Sequence, residues 1–178
     1  SIVTTTGYAS LDYTGWAITL QGLLFITMFT GASAGSTGGS VKIVRWLVVV
    51  KSIGRELFVS IHSAAVRPIR LGQQVVKEKT IQSILIFMLL YTMLFLGGSG
   101  IILLDCGYYA VDISFQEAAG NAATALGNVG PSFGANGPMN NFLNLPPISR
   151  LTMVLLMWLG RLEIVTVLVV FTPAYWSS

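Results

Sequence analysis

Two uncharged stretches set the frame of this chain, one from Tyr13 to Val41 and one from Thr80 to Leu104. The second is a continuous apolar run of 25 residues. As a helix it would rise about 37 Å, enough to cross a hydrocarbon core of roughly 30 Å with some tilt. The pattern therefore predicts a spanning helix over 80–104, with Gly97, Gly98 and Gly100 near one end allowing another backbone to approach. A second span is predicted over 150–175, closed by Pro173, Tyr175 and Trp176, whose aromatic pair suits a membrane interface. The apolar stretch Gly15–Thr30 is shorter, and its roughly 24 Å of helix would stop inside a bilayer.

The next ten residues, Gly31-Ala-Ser-Ala-Gly-Ser-Thr-Gly-Gly-Ser40, are small or polar throughout and form helix poorly. Two readings fit. One is a Gly/Ser linker on the water side. The other is a helix over 15–60 broken at 31–40, since non-helical backbone at membrane depth is tolerated only where protein or a water-filled cavity satisfies it. Gly35-Ser-Thr-Gly38 lacks the Lys-Ser/Thr ending of a phosphate-binding loop.

Between the two predicted spans, Ser114-Phe-Gln-Glu117 fits a capping box and opens an alanine-rich helix over 115–127. At about 20 Å it can dip into a bilayer but not cross it. Its C-terminal end carries partial negative charge, which favours a cation. The segment Asn128-Val-Gly-Pro-Ser132 then turns back without helical character. The order helix, half-helix, extended loop, helix resembles the layout of a potassium-channel pore unit.

Composition sharpens the class. Hydrophobic residues make up 53% of the chain and charged residues only 10%, against about 25% charged in soluble domains. The mean hydropathy is +0.74. A lone Cys106 excludes an internal disulfide, and a lone His62, placed in a surface loop, makes a zinc site unsupported. Starting at Ser1 with no leader pattern, the chain reads as a fragment. Lys42, Arg45, Lys51, Arg55, Arg67, Arg70, Lys77 and Lys79 crowd residues 42–79, opposed only by Glu56 and Glu78. The next charges are Asp105, Asp112 and Glu117. The positive-inside rule puts 42–79 on the cytoplasmic side, with 61–79 a linker, and the acidic segment outside, so the chain would end in the cytoplasm. Flanking apolar runs argue against a nucleic-acid partner and for membrane lipid.

Thr4-Thr-Thr-Gly-Tyr-Ala9 resembles the filter of potassium channels, whose backbone carbonyls replace an ion's hydration shell. With TTTGYASLDY (4–13), GASAGSTGGSVKIVR (31–45), ALGNVGPSFG (125–134), GRLE (160–163) and FTPAYW (171–176) in order, the whole chain resembles the Trk/Ktr/HKT potassium transporter family, in particular the C-terminal portion of its TrkH-like membrane subunits. The resemblance implies an all-α membrane protein of fused helix–pore loop–helix units with a broken pore-lining helix. Residues 1–14 would end the third unit's filter, 15–60 would be that unit's second helix, and 80–178 the fourth unit, with its filter at 128–132.

The same resemblance assigns roles. Thr5, Thr6, Gly7, Tyr8, Asn128, Val129 and Gly130 would form filter walls, with potassium at Thr6, Gly7, Val129 and Gly130. Gly31, Ala32, Ser33, Ala34, Gly35, Ser36, Thr37, Gly38, Gly39 and Arg161 would form a gate below it, with Ser40 standing where glycine is expected. It implies no cofactor beyond the transported potassium ion, a plasma (inner) membrane location, a homodimer, and a cytoplasmic nucleotide-binding regulatory subunit of the TrkA type. Other readings stay open. Arg161 could join an inter-helix salt bridge, with Glu163 as a structural partner elsewhere. Asp12, Asp105, Asp112 and Glu117 could gather cations at the outer mouth or serve as solvated faces and caps. A secondary transporter with broken helices, a sodium-permeable relative or a membrane scaffold would share much of the pattern. No Ser/His/Asp set or metal-ligand cluster supports an enzyme.

Overall fold

A computed structural model describes residues 2–31, 40–62 and 68–162. The fold is predominantly helical. In chain order it runs α1 (Ile18–Phe29), α2 (Ile43–Ile61), β1 (Arg70–Leu71), β2 (Gln74–Val75), α3 (Glu78–Tyr108), α4 (Phe115–Gly127), a 3₁₀ turn (Gly134–Asn136) and α5 (Pro147–Arg161). The antiparallel β1–β2 hairpin lies inside the segment expected to be a plain linker, and its turn uses Gly72 at φ +62°.

The short helix α4 is the centre of the molecule. Every residue from Ala118 to Gly127 is buried, the condition in which a helix can be small and apolar on all sides. Ser114 starts it: its hydroxyl accepts from Glu117 N while Glu117 reaches back to Ser114 N, completing the capping box. Asn128 stops it in the left-handed conformation, at φ 52°, a region that asparagine tolerates better than most residues. Helices α3 and α5 flank α4 and enclose Ile102, Ala118, Ala122, Leu126 and Leu156 in one core. Helix α1 closes the other side, where Met28 packs with Ala123, Val129 and Phe133. Phe29 stands edge-on to Phe95, centroids 5.1 Å apart, tying α1 to α3.

Among the described residues α3 alone is both long and apolar enough to cross a membrane. It has 31 residues and starts at Glu78, so it outruns the 80–104 expected. The reason lies at its far end. Asp105 does not terminate the helix in solvent; it is buried, and its Oδ2 accepts from Ser149 N and Ser149 Oγ, both at 2.7 Å. A carboxylate on one helix thus caps the first turn of another, and Asp105 is withdrawn from any outer-mouth role. Cys106 is buried beside it. Helix α5 begins earlier than the 150 expected, with Pro147 in the first turn, where proline's missing N–H costs nothing. Of the four glycines of α3, only Gly98 is closely approached, and by a side chain: a Cβ there would lie 2.6 Å from Leu156 Cδ1, whereas Gly97, Gly100 and Gly107 face open space. Ile18, Leu23, Leu89, Leu96, Leu104, Leu151 and Val154 stand more than half exposed, giving the bundle an apolar outside. Such a surface fits lipid or further protein, not water.

Candidate functional site

The two glycine loops, far apart in sequence, meet. A Cβ added to Gly7 would lie 2.9 Å from the carbonyl oxygen of Val129, and one added to Gly130 would lie 3.1 Å from the Cα of Gly7. Both glycines hold positive φ, +81° and +115°. The residue two before each does the same: Thr5 at 53° and Asn128 at 52°. Thr6 and Val129, between them, do not. The two loops therefore share one backbone rhythm, left-handed at alternate positions. Alternation of this kind turns successive peptide units toward a common side, so carbonyls can line one surface in place of pairing as in a strand. Glycine in each loop was visible in the sequence; positive φ at Thr5 was not, because threonine carries no such signal.

Each loop is fixed from behind. Thr124, one turn inside α4, accepts from Val129 N through its carbonyl and from Gly130 N through Oγ1, both at 3.0 Å. Asn128 Nδ2 donates to the carbonyl of Met157 on α5 at 3.1 Å. Alongside, Gly160 sits so close to the Leu126 carbonyl that a Cβ would collide with it. The first loop is held through Tyr13, which is buried. Its hydroxyl donates to Ser132 O at 2.9 Å, and its ring meets Phe133 edge-on at 5.7 Å. Burial, with the nearby Asp12 charge, pushes the Tyr13 phenol up to about 12. Asp12 itself is held below the usual carboxylate range by the Thr14 hydroxyl and backbone N–H, an ordinary turn-capping role.

Glu117 does double duty. Besides capping α4, its Oε1 accepts from Ala135 N at 2.9 Å, which binds the returning loop to the start of the helix. Burial raises its pKa, but the N–H groups of Ser114 and Ala135 and the Ser114 hydroxyl outweigh that, and the net direction is down. Tyr8, by contrast, projects from the first loop with 82% of its surface exposed.

At the other end of α4 lies the break between α1 and α2. Of the residues expected in the gate, Gly31 and Arg161 are placed, while 32–39 fall outside the described residues, as does Glu163. Gly31 packs directly on the chain at Ser40–Val41, since a Cβ there would meet the Val41 carbonyl at 2.6 Å. The two ends of the break are therefore in contact. Ser40 is buried, its hydroxyl donates to the Met28 carbonyl, and the same hydroxyl lies 3.6 Å from where a Gly127 Cβ would be. Trp46 Nε1 donates to the Phe29 carbonyl at 2.9 Å. Serine in place of glycine thus supplies a tie that satisfies a carbonyl freed at the end of α1. Arg161 is the last residue of α5, exposed, one residue after the glycine that abuts Leu126. His62 caps α2 and stacks on Phe58 at 4.7 Å.

Among the described residues no three His, Cys, Asp or Glu side chains cluster as metal ligands. The two loops meet beside the C-terminal end of α4, where the helix's partial negative charge favours a cation.

Comparison with known proteins gives a consistent result. The family described as TrkH, cation transport protein, matches residues 1–178. A Trk system potassium uptake protein TrkI of Halomonas elongata is 37% identical over 179 aligned residues, covering 100% of this chain. The Trk system potassium uptake protein TrkH of Escherichia coli K12 is 32% identical over 178 residues. This chain spans only 35% of the length of either relative. The crystal structure of the potassium transporter TrkH from Vibrio parahaemolyticus superposes with a TM-score of 0.80 at 29% identity, covering 98% of this chain and 36% of that one.

Proposed function

The chain belongs to the TrkH family of cation transport proteins, which are membrane proteins and not enzymes, and from that premise we propose that it supplies two adjacent walls of a potassium uptake pore. Thr5, Thr6, Gly7 and Tyr8 form one wall of the selectivity filter, and Asn128, Val129 and Gly130 the next. Potassium is bound by carbonyls of Thr6, Gly7, Val129 and Gly130. The observation that carries this reading is the contact of Gly7 with Val129 and Gly130, with the same alternation of positive φ in both loops. Two walls meeting edge to edge are what a ring of four similar loops requires. The relatives named as potassium uptake proteins point to the same ion.

Below the filter, the break between α1 and α2 acts as the gate, and Arg161 raises the barrier to cations there. The basic segment 42–79 faces the cytoplasm. A second copy of the subunit and a nucleotide-binding regulatory subunit complete the assembly. The test is uptake by the full-length protein in liposomes, comparing potassium with sodium. Potassium-selective flux supports the reading. Equal flux of both ions would favour a sodium-permeable relative, and strict coupling of flux to a second ion's gradient would favour the secondary-transporter alternative.

A further inference from the structure

Helix α2 carries an apolar stripe at Leu47, Val50, Gly54, Leu57 and Ile61, spaced three and four apart on one face, and its four large side chains are 49–79% exposed. Beside that stripe the β1–β2 hairpin docks on α2 and α3, with buried Ile69 packed against Val48 and Ile81. The angle between hairpin and helix encloses a cavity of about 480 Å³, lined among others by Val50, Lys51, Gly54, Arg55 and Arg70. Three of those are cations on built positions. Lys51 Nζ donates to the Arg70 carbonyl at 2.6 Å, tying hairpin to helix. Arg55 is held by Glu78 at 2.9 Å and Glu56 at 3.0 Å. Among the described residues neither Lys51 nor Arg70 has a carboxylate partner, so the pocket keeps a net positive charge.

Depth identifies what could fill it. On the proposed membrane placement, α2 starts at the break, near the middle of the bilayer. At 1.5 Å per residue Lys51 and Arg55 lie about 12–18 Å further along the axis. Half of a roughly 30 Å hydrocarbon core is about 15 Å, so the cations sit at headgroup level. Apolar Leu47 and Val50 lie on the hydrocarbon side of them. A cationic cavity at the headgroup plane, continuous with an exposed apolar stripe, is complementary to a molecule with a phosphate head and hydrocarbon tails.

We propose that this pocket binds one acidic phospholipid of the cytoplasmic leaflet, its phosphate held by Lys51 and Arg70 and its chains lying along Leu47 and Val50. The inference rests on the membrane placement given above but not on ion selectivity.

The experiment uses the full-length transporter purified into nanodiscs of phosphatidylcholine with a minor share of phosphatidylglycerol. Retained lipid is read by native mass spectrometry, with potassium flux measured on the same protein in liposomes. The wild type is expected to retain one phosphatidylglycerol in preference to phosphatidylcholine. A basic residue at an anionic surface is worth about fivefold in affinity. Removing two, in Lys51→Gln with Arg70→Gln, is expected to lower the preference by about tenfold or more. Gly54→Leu is the independent variant. No atom lies within 4 Å of a Cβ at Gly54, so the side chain enters the cavity without collision, leaves every charge in place, and is expected to abolish retention. Equal retention of both lipids by the wild type, or unchanged preference in Gly54→Leu, would overturn the proposal. Displacement of the lipid by millimolar inorganic phosphate would overturn it too, in favour of a free-anion site. Normal flux with no lipid preference refutes this inference alone, whereas lost selectivity with lipid still retained refutes the filter reading alone.

Discussion

Gly130→Ala tests the filter assignment at its tightest point. The backbone there has φ +115°, a region that L side chains rarely adopt. Holding alanine in it costs about 1–3 kcal/mol. The added methyl would also stand 3.1 Å from the Cα of Gly7, a backbone atom that cannot rotate away. The loop cannot relax freely either, because Gly130 N is bonded to Thr124 Oγ1 and Val129 N to Thr124 O. Relief therefore requires moving the peptide units that flank residue 130, which are the proposed ligands. If about 1.4 kcal/mol of that strain is expressed as poorer coordination of potassium, discrimination against sodium falls about tenfold. The assay is competitive uptake of the two ions into liposomes by the full-length variant, with a melting curve to confirm folding. Gly97→Ala is the control: it lies in α3 with nothing within 4 Å of its Cβ, and is expected to leave selectivity unchanged while adding up to about 1 kcal/mol of helix stability. A Gly130→Ala protein that is folded, active and as selective as the wild type would show that this loop does not choose the ion.

Other outcomes rest on the same contacts. Gly160→Ala drives a methyl into the Leu126 carbonyl and is expected to destabilise by about 1–3 kcal/mol, with a lower melting temperature than Gly100→Ala, which meets nothing. Glu117→Gln weakens the charge-assisted bonds to Ser114 and Ala135 and is expected to cost about 1–2 kcal/mol near neutral pH. Since the Glu117 pKa is depressed below its ordinary 4.5, its contribution is present above about pH 4.5 and lost as pH falls through the lower folded value. Melting curves of wild type and Glu117→Gln should then converge on acidification; a constant gap would refute the depressed carboxylate. Cysteines at Gln73, in the hairpin turn, and at Asn140, after the 3₁₀ turn, should react with impermeant reagents from opposite faces, with low background because Cys106 is buried. Labelling of both from one face would overturn the topology.

Much of the architecture was legible because it depends on local chemistry. The start of α4 is written in Ser114 and Glu117, and α3 in an uninterrupted apolar run. The stop of α4 after Gly127 is equally local, whereas α5 starts at Pro147, ahead of the 150 expected. The rest depends on contacts between distant segments. Asp105 looked like an external acid because hydropathy counts its charge, while its burial rests on Ser149, 44 residues further on. Gly98 and Gly97 are equivalent in sequence, yet only one faces Leu156. The two glycine loops were each conspicuous by composition. Their meeting, and the matching backbone twist at Thr5 and Asn128, could not be read from either loop alone.

The bond from Tyr13 to Ser132 joins residues 119 apart. During synthesis, the segment around Gly7 leaves the ribosome long before its neighbour exists. Until residue 132 has been made and α3 and α4 are in place, the Tyr13–Ser132 bond and the contact of Gly7 with Val129 and Gly130 cannot form. Closing so long a span is a late and slow event. On the proposed reading, the pairing of the two filter walls is thus a late step in the building of this segment.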